Sequence, residues 1–185
     1  MAARLPESDE LDVTIGPMRR RHLRSVLRIE QQVYPRPWSM GLFMSELGMR
    51  GSRVYVVARV GTTVVGYGGL MLVAEDGHVT TLAVDPAWHR HKLGTRLLHT
   101  LATTAIRRGA KNLTLEVRAS NAPAQRLYSA FGFAPAGIRK GYYVETKEDA
   151  IIMWANDVDA RDYSDRLAGL VAEVPGITVI EDLDR

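Results

Sequence analysis

A chain of 185 residues, 46% hydrophobic and 24% charged, has the size and composition of one ordinary globular domain with some excess, long enough to bury a real core. Zero cysteines exclude disulfides, thiolate zinc sites and a cysteine nucleophile, and fit a reducing cytosol. A net charge of +3 does not by itself indicate nucleic acid, and the first 30 residues mix acids and arginines with single apolar residues, so neither a signal peptide nor a membrane span is expected.

Residues 1–10 are polar and read as loose. Leu11–Ile15 predicts a short strand, ended by Gly16-Pro17. From Met18 to Val33 the pattern is helical, with Leu23, Val26, Leu27 and Glu30 on one face and Arg20, Arg24 and Arg28 on another. Tyr34-Pro35-Arg36-Pro37 breaks it, and Ser39 is a good N-cap for a second helix to about Leu47. Arg53–Val60, Val64–Val73 and His78–Val84 are rich in β-branched residues. Gly61-Thr62-Thr63 and Glu75-Asp76-Gly77 separate them, so an antiparallel meander is expected. Val84–Leu98 reads as a strand end, a proline-marked turn, a basic glycine-containing loop and a helix start. Leu97, Leu98, Leu101, Ala102, Ala105 and Ile106 form the stripe of that helix, and Gly109 stops it. Asn112–Val117 is an apolar strand, and Asn121 caps a short helix that ends at Gly132. Phe133–Tyr143 and Ala150–Trp154 predict a closing antiparallel pair. Residues 155–185 are acidic and carry one apolar run, Ile177–Ile180, without an evident partner.

Strand–helix–strand across residues 78–118 makes the flanking strands parallel neighbours. The predicted class is α/β, with a mixed, largely antiparallel sheet, antiparallel at both ends and carrying one βαβ crossover. Ligands of such sheets sit beyond the carboxyl ends of the strands, where the basic loop lies. A helix start offers free N–H groups and the positive end of the peptide dipole to a phosphate, and Arg90, Lys92 and Arg96 add cations there. The absence of Gly-x4-Gly-Lys-Ser/Thr argues against a P-loop nucleotidase. Gly-x-Gly-x-x-Gly with its downstream acid is also missing. No acid, histidine or cysteine cluster has metal spacing, so no metal is expected. What remains is an anion site beside Glu116, a carboxylate on an otherwise apolar strand. Glu116 is either an end-of-strand acid paired with Arg118 or Lys111, or a general base whose pKa desolvation raises toward neutrality. Tyr128 either packs as core with Leu127 and Phe131, or turns its hydroxyl toward a cofactor as a proton donor.

Together these residues resemble the GNAT family of acetyl-CoA-dependent N-acetyltransferases. Within it they are similar to the RimI type, which acetylates the N-terminal alanine of a small-subunit ribosomal protein. The resemblance runs from about Val13 to Trp154. Leu-Glu-Val-Arg-Ala-Ser-Asn-Ala-Pro-Ala at 115–124 and Leu-Tyr-Ser-Ala-Phe-Gly-Phe at 127–133 carry it most specifically. Tyr34–Ser39, Arg139–Tyr143 and Glu148–Met153 support it. The resemblance implies the GNAT acyl-CoA N-acyltransferase fold over residues 1–155, with residues 156–185 a C-terminal extension. It implies acetyl-CoA as cosubstrate, its pantetheine arm paired with the backbone of Leu82, Ala83 and Val84. Its pyrophosphate would be held by Arg90, His91, Lys92, Leu93, Gly94 and Thr95, with Asn121 near the arm. Base and acid fall on Glu116 and Tyr128. The family loop usually reads Gln/Arg-x-x-Gly-x-Gly/Ala, and Lys92 replaces its first glycine, so weaker CoA binding than with glycine there is expected.

The implied reaction is direct attack by a neutral protein N-terminal amine in a ternary complex, the N-terminal alanine of a small-subunit ribosomal protein foremost. An α-amine of pKa about 7.7–8.0 is roughly a tenth neutral at pH 7, whereas a lysine near 10.4 is neutral in fewer than about one molecule per thousand. The peptide is expected between the Tyr34–Trp38 loop and the Arg139–Tyr143 hairpin, with Tyr34, Trp38 and Tyr142 as contacts. Partners are therefore acetyl-CoA and the N-terminus of a ribosomal or other protein, in the cytoplasm, with no membrane and no direct nucleic acid. Acetylation of a lysine ε-amine or small amine is the alternative, and a non-catalytic CoA-binding module the second. Arg19, Arg20, Arg21, Arg24 and Arg28 read as a solvated face, and His89, His91 and His99 as loop and helix-surface residues.

Overall fold

Alternating β-branched residues between Arg53 and Val84 build the centre of the sheet, as three antiparallel strands β2 (Arg53–Val60), β3 (Thr63–Val73) and β4 (Asp76–Val84). The computed structural model describes residues 10–184, so the expectation for residues 1–9 lies outside the described residues. Around the meander stand β1 (Val13–Pro17), β5 (Asn112–Arg118), β6 (Ala134–Tyr143), β7 (Glu148–Ala155) and β8 (Thr178–Ile180). The eight strands run in the order β6-β7-β5-β4-β3-β2-β1-β8.

Helices cover both faces. On one, α1 (Leu23–Val33) and α2 (Met40–Gly48) bring Val26, Ile29 and Phe43 into a cluster with Val57 and Tyr67. On the other, α3 (Leu93–Arg107) brings Leu97, Leu98 and Leu101 together with Val56, Val65 and Leu70. The crossover helix α3 ends as its sequence indicates, with Gly109 at φ +94°. Asn121 caps α4 (Ala122–Ala130), its side-chain oxygen accepting from Ala124 N at 3.2 Å. The helical pattern from Met18 divides into a 3-10 turn at Arg20–His22 and α1 itself.

Two features position the site. First, β4 and β5 pair in parallel only over Asp76–His78 and Asn112–Thr114. Beyond that point β5 continues against β7, and Val79–Val84 have no ladder on that side. Second, Gly69 lets the Tyr55 ring cross β3, since a Cβ there would meet Tyr55 Cε1 at 2.3 Å. The Tyr55 hydroxyl thereby donates to Glu46 at 2.8 Å, tying α2 to the sheet.

The C-terminal residues differ from expectation. Ile177–Ile180 does have a partner: β8 pairs in parallel with β1, Val13 opposite Thr178 and Ile15 opposite Ile180, so this end of the sheet is parallel rather than antiparallel. A further helix, α5 (Arg161–Ala172), carries Tyr163 and Leu167 into the core cluster that includes α3. Arg96, expected at the anion site, is instead 3% exposed. Its guanidinium donates to Ile177 O at 3.0 Å, to the Leu11 and Pro175 carbonyls and to the Thr178 hydroxyl. The reason is helical phase: Arg96 shares the inward stripe of Leu93, Leu97 and Thr100, so the fork reaches the chain packed beneath α3. Arg59–Glu181 at 2.5 Å and Arg108–Asp184 at 2.7 Å fasten the same segment at the surface.

Arg96→Ala takes the side-chain donor from the Leu11 and Pro175 carbonyls, leaves Ile177 O only its bond from Val13 N, and empties a buried site, so a loss of about 2–4 kcal/mol is expected in urea denaturation. Arg96→Lys recovers part of it, because an ammonium lacks the planar fork. An arginine serving the anion site would instead lose anion affinity at unchanged stability.

Candidate active site

Where β4 and β5 part, a cavity of about 600 Å³ opens. Its walls include Tyr34 and Trp38 from the α1–α2 connection, His78 and Leu82 from β4, Glu116 from β5, Tyr128 from α4 and Tyr142 from β6. The structure thus brings together the expected base, acid and peptide contacts. Ala83, Val84, Asn121 and the Arg90–Thr95 loop stand outside this cavity's wall.

Glu116 is the most constrained of these. Its Oε2 is 3.0 Å from His78 Nε2 and its Oε1 is 3.6 Å from Arg139 Nη2. The hydrogen bond from His78, with Arg139 adding to it, holds the carboxyl below its ordinary value although burial pushes the other way. The expectation of a raised pKa is therefore corrected: a directed donor outweighs partial desolvation. The expected partners are also engaged elsewhere, Lys111 with Glu75 at 2.5 Å and Arg118 with Thr146 at 3.0 Å. His78 was not legible as a site residue from its flanking sequence. Only the parallel register, which sets His78 beside Thr114 and so places Glu116 two residues on along the same face, reveals it.

Tyr128 combines both sequence readings. Its ring is buried against Phe133, with centroids 6.0 Å apart, while the residue also lines the cavity. Burial lifts its hydroxyl above the usual tyrosine value, so it stays protonated at working pH.

Tyr34 and Trp38, expected as peptide contacts, are tied into the structure, and Tyr142 is the more open of the three. The Tyr34 hydroxyl donates to Leu82 O at 3.0 Å and so ties the α1–α2 connection to β4. Trp38 packs on Phe43, with centroids 5.2 Å apart, and its N–H donates to Glu30 Oε1 at 2.9 Å. Tyr142 is half exposed beside Tyr143. Arg36 and Glu145, 3.3 Å apart, bridge the two walls.

Glu30, which the sequence placed on the apolar stripe of α1 without a role, is 1% exposed and lines the same cavity. It accepts from the Tyr67 hydroxyl and the Trp38 backbone, and burial pushes its pKa up to about 7. An acid on an otherwise apolar face was the available signal.

The basic loop is built by Asp85. That carboxylate accepts from Ala87 N at 3.0 Å, capping a 3-10 turn at Pro86–Trp88, and pairs with Arg28 at 2.9 Å. Arg90 and Lys92 then take left-handed backbone, φ +70° and +56°. Lys92 adopts the shape that a glycine would give, at a strain of about 1–2 kcal/mol. No side chain caps the start of α3, which leaves its first N–H groups available to an anion. Among the described residues no three acidic, histidine or cysteine side chains are grouped to hold a metal ion.

The sequence profile of the acetyltransferase (GNAT) family matches residues 23–133. The chain is 37% identical over 142 residues to the ribosomal protein bS18-alanine N-acetyltransferase of Escherichia coli, covering 76% of this chain and 95% of that one. It is 36% identical over 152 residues to the N-alpha-acetyltransferase RimI of Mycobacterium tuberculosis, covering 79% and 94%. The crystal structure of the E. coli ribosomal-protein-S18-alanine N-acetyltransferase matches with a TM-score of 0.72 at 35% identity, covering 78% of this chain and 94% of that chain.

Glu30 holds its proton more tightly when folded than when unfolded. Its contribution to stability is therefore complete below about pH 4.5 and is lost as the pH rises through about 7. Urea denaturation at pH 5 and pH 8 should show the protein weaker at the higher pH, by on the order of 3 kcal/mol from this group. Glu30→Gln should lose most of that pH dependence.

Proposed function

Because the chain belongs to the acetyltransferase (GNAT) family, we propose that it is an enzyme that transfers acetyl from acetyl-CoA to the N-terminal α-amine of a protein, foremost the N-terminal alanine of a small-subunit ribosomal protein. The observation that carries this reading is the meeting of Glu116 and Tyr128 in one cavity beside the unladdered edge of β4. Identity to the E. coli relative across 95% of its length supports the choice of substrate.

The residues present fit an acyl-CoA. The backbone of Leu82, Ala83 and Val84, beyond the end of the β5 ladder, offers an edge to an extended amide-bearing arm. Arg90, His91, Lys92, Leu93, Gly94 and Thr95 surround the uncapped start of α3, where a pyrophosphate gains both N–H donors and cations. The strain at Lys92 weakens CoA binding relative to glycine. Asn121, at the start of α4, borders the arm. Acetyl-CoA supplies the acetyl thioester, and the protein's groups supply orientation and proton handling.

Tyr34, Trp38 and Tyr142 wall the approach of the peptide. Glu116, ionised, supplies the negative charge of the base toward which the amine's proton moves as the N–C bond forms. Backbone N–H groups near Val84 steady the oxyanion, and Tyr128 protonates the departing thiolate. An α-amine needs little help to be neutral at pH 7, which favours it over a lysine by roughly a few hundredfold in available nucleophile. The acetyltransferase domain occupies residues 1–155, residues 156–185 are its C-terminal extension, and the enzyme works in the cytoplasm. Among the described residues no helix is long and apolar enough to cross a membrane.

Intact-mass measurement of peptides with free and blocked N-termini, incubated with acetyl-CoA, tests the reading. Transfer to an alanine-started ribosomal N-terminus but not to its blocked form is expected, and Glu116→Gln should slow it about 100-fold or more. Lysine acetylation of blocked peptides, or tight acetyl-CoA binding without transfer to any amine, would contradict it.

A further inference from the structure

Glu116 has two donors and no proton of its own to give. An ionised carboxylate only accepts hydrogen bonds, so its 3.0 Å contact with His78 fixes Nε2 as the N–H and leaves Nδ1 as the imidazole's open lone pair. Nδ1 has no hydrogen-bond partner among the described residues, and His78 lines the same cavity as Glu116 and Tyr128. This is the arrangement of a base oriented by a carboxylate. The same cavity also holds Glu30, buried on α1 with its pKa pushed up to about 7, and the Arg36–Glu145 pair at 3.3 Å. From β6, Arg139 stands 3.6 Å from the far carboxylate oxygen. Across the cavity, Glu46 of α2 is taken by Arg53 of β2 at 2.8 Å and by the Tyr55 hydroxyl at 2.8 Å. Arg118 of β5 is held by Thr146 and Glu148, and the β3 neighbour of His78 is the uncharged Met71.

Both Glu116 oxygens already face donors, His78 on one and Arg139 on the other, which leaves the carboxylate little basicity to offer a further proton. Imidazole, the side chain that changes charge between pH 5 and 8, is a far better match. We infer that His78 holds the proton in acetyl transfer: it leaves the amine as the N–C bond forms and comes to rest on His78 Nδ1, directly or across one water, while Glu116 keeps the Nε2 hydrogen bond and stabilises the imidazolium. Glu116 is then the electrostatic half of the base and His78 the half that carries the proton. The thiolate takes the Tyr128 proton, the imidazolium loses its proton to solvent, and solvent restores Tyr128. One proton leaves the amine and one ends on the thiol, so the cycle closes. The inference rests on the acetyl-transfer reading above.

The pH dependence of kcat on an alanine-started peptide tests it, with wild type, His78→Gln and His78→Ala compared. Glutamine keeps a donor to Glu116 and cannot take up a proton. His78→Gln should lower kcat at pH 7 at least about tenfold, with KM for peptide and acetyl-CoA within about twofold, and should remove one ionisation from the acid limb. Added imidazole should restore part of the rate to His78→Ala and none to Glu116→Ala. A wild-type rate and profile in His78→Gln would overturn the inference while leaving acetyl transfer intact. Absence of transfer by the wild type would overturn both.

Discussion

Three residue pairs of parallel ladder between β4 and β5, and then none, set most of what this molecule can do. Backbone donors and acceptors left without a strand partner must find water, a side chain or a ligand. One acceptor on this edge, Leu82 O, is met by the Tyr34 hydroxyl, which locks the α1–α2 connection beside the opening. At the far end of the same edge the chain turns through Asp85 and the left-handed Arg90 and Lys92 into the uncapped start of α3. An extended amide chain ending in a pyrophosphate matches both needs at once: hydrogen bonds along the strand edge and negative charge at the helix start. The cavity that holds Glu116 opens beside the same edge.

Two glutamates in that cavity show how environment divides the roles of one residue type. Glu30 lies under the α1–α2 connection, and desolvation dominates, pushing its pKa up to about 7. Glu116 is less covered and has His78 and Arg139 against its two oxygens, so donors dominate and its pKa falls. Burial alone would have moved both upward. The contrast separates an acid that supports the wall, through Trp38 and Tyr67, from one held ionised by its donors.

What was legible in the sequence was local. The β-branched meander, the crossover helix stopped at Gly109, the Asn121 cap and the Ser39 cap, which accepts from Leu42 N at 3.2 Å, follow from periodicity and turn chemistry within a few residues. Tyr34, Trp38, Glu116 and Tyr128 stood out through the family resemblance, and the fold sets them around one cavity. What was hidden depended on distant chain. Arg96 reads as a phosphate ligand until the carbonyls of residues 11, 175 and 177 are brought beneath it. The Ile177–Ile180 run lacks a visible partner because its ladder is with β1, more than 160 residues earlier. His78 gains meaning only when the strand register aligns it with Glu116.

Hydrogen exchange with and without saturating acetyl-CoA tests the central claim most directly. The account predicts that exchange slows by about tenfold or more in two separate segments, Leu82–Val84 at the open strand edge and Lys92–Thr95 at the start of α3, with Glu116 and its strand little changed. Protection confined to other surfaces, with both of those segments exchanging as in the free protein, would contradict it.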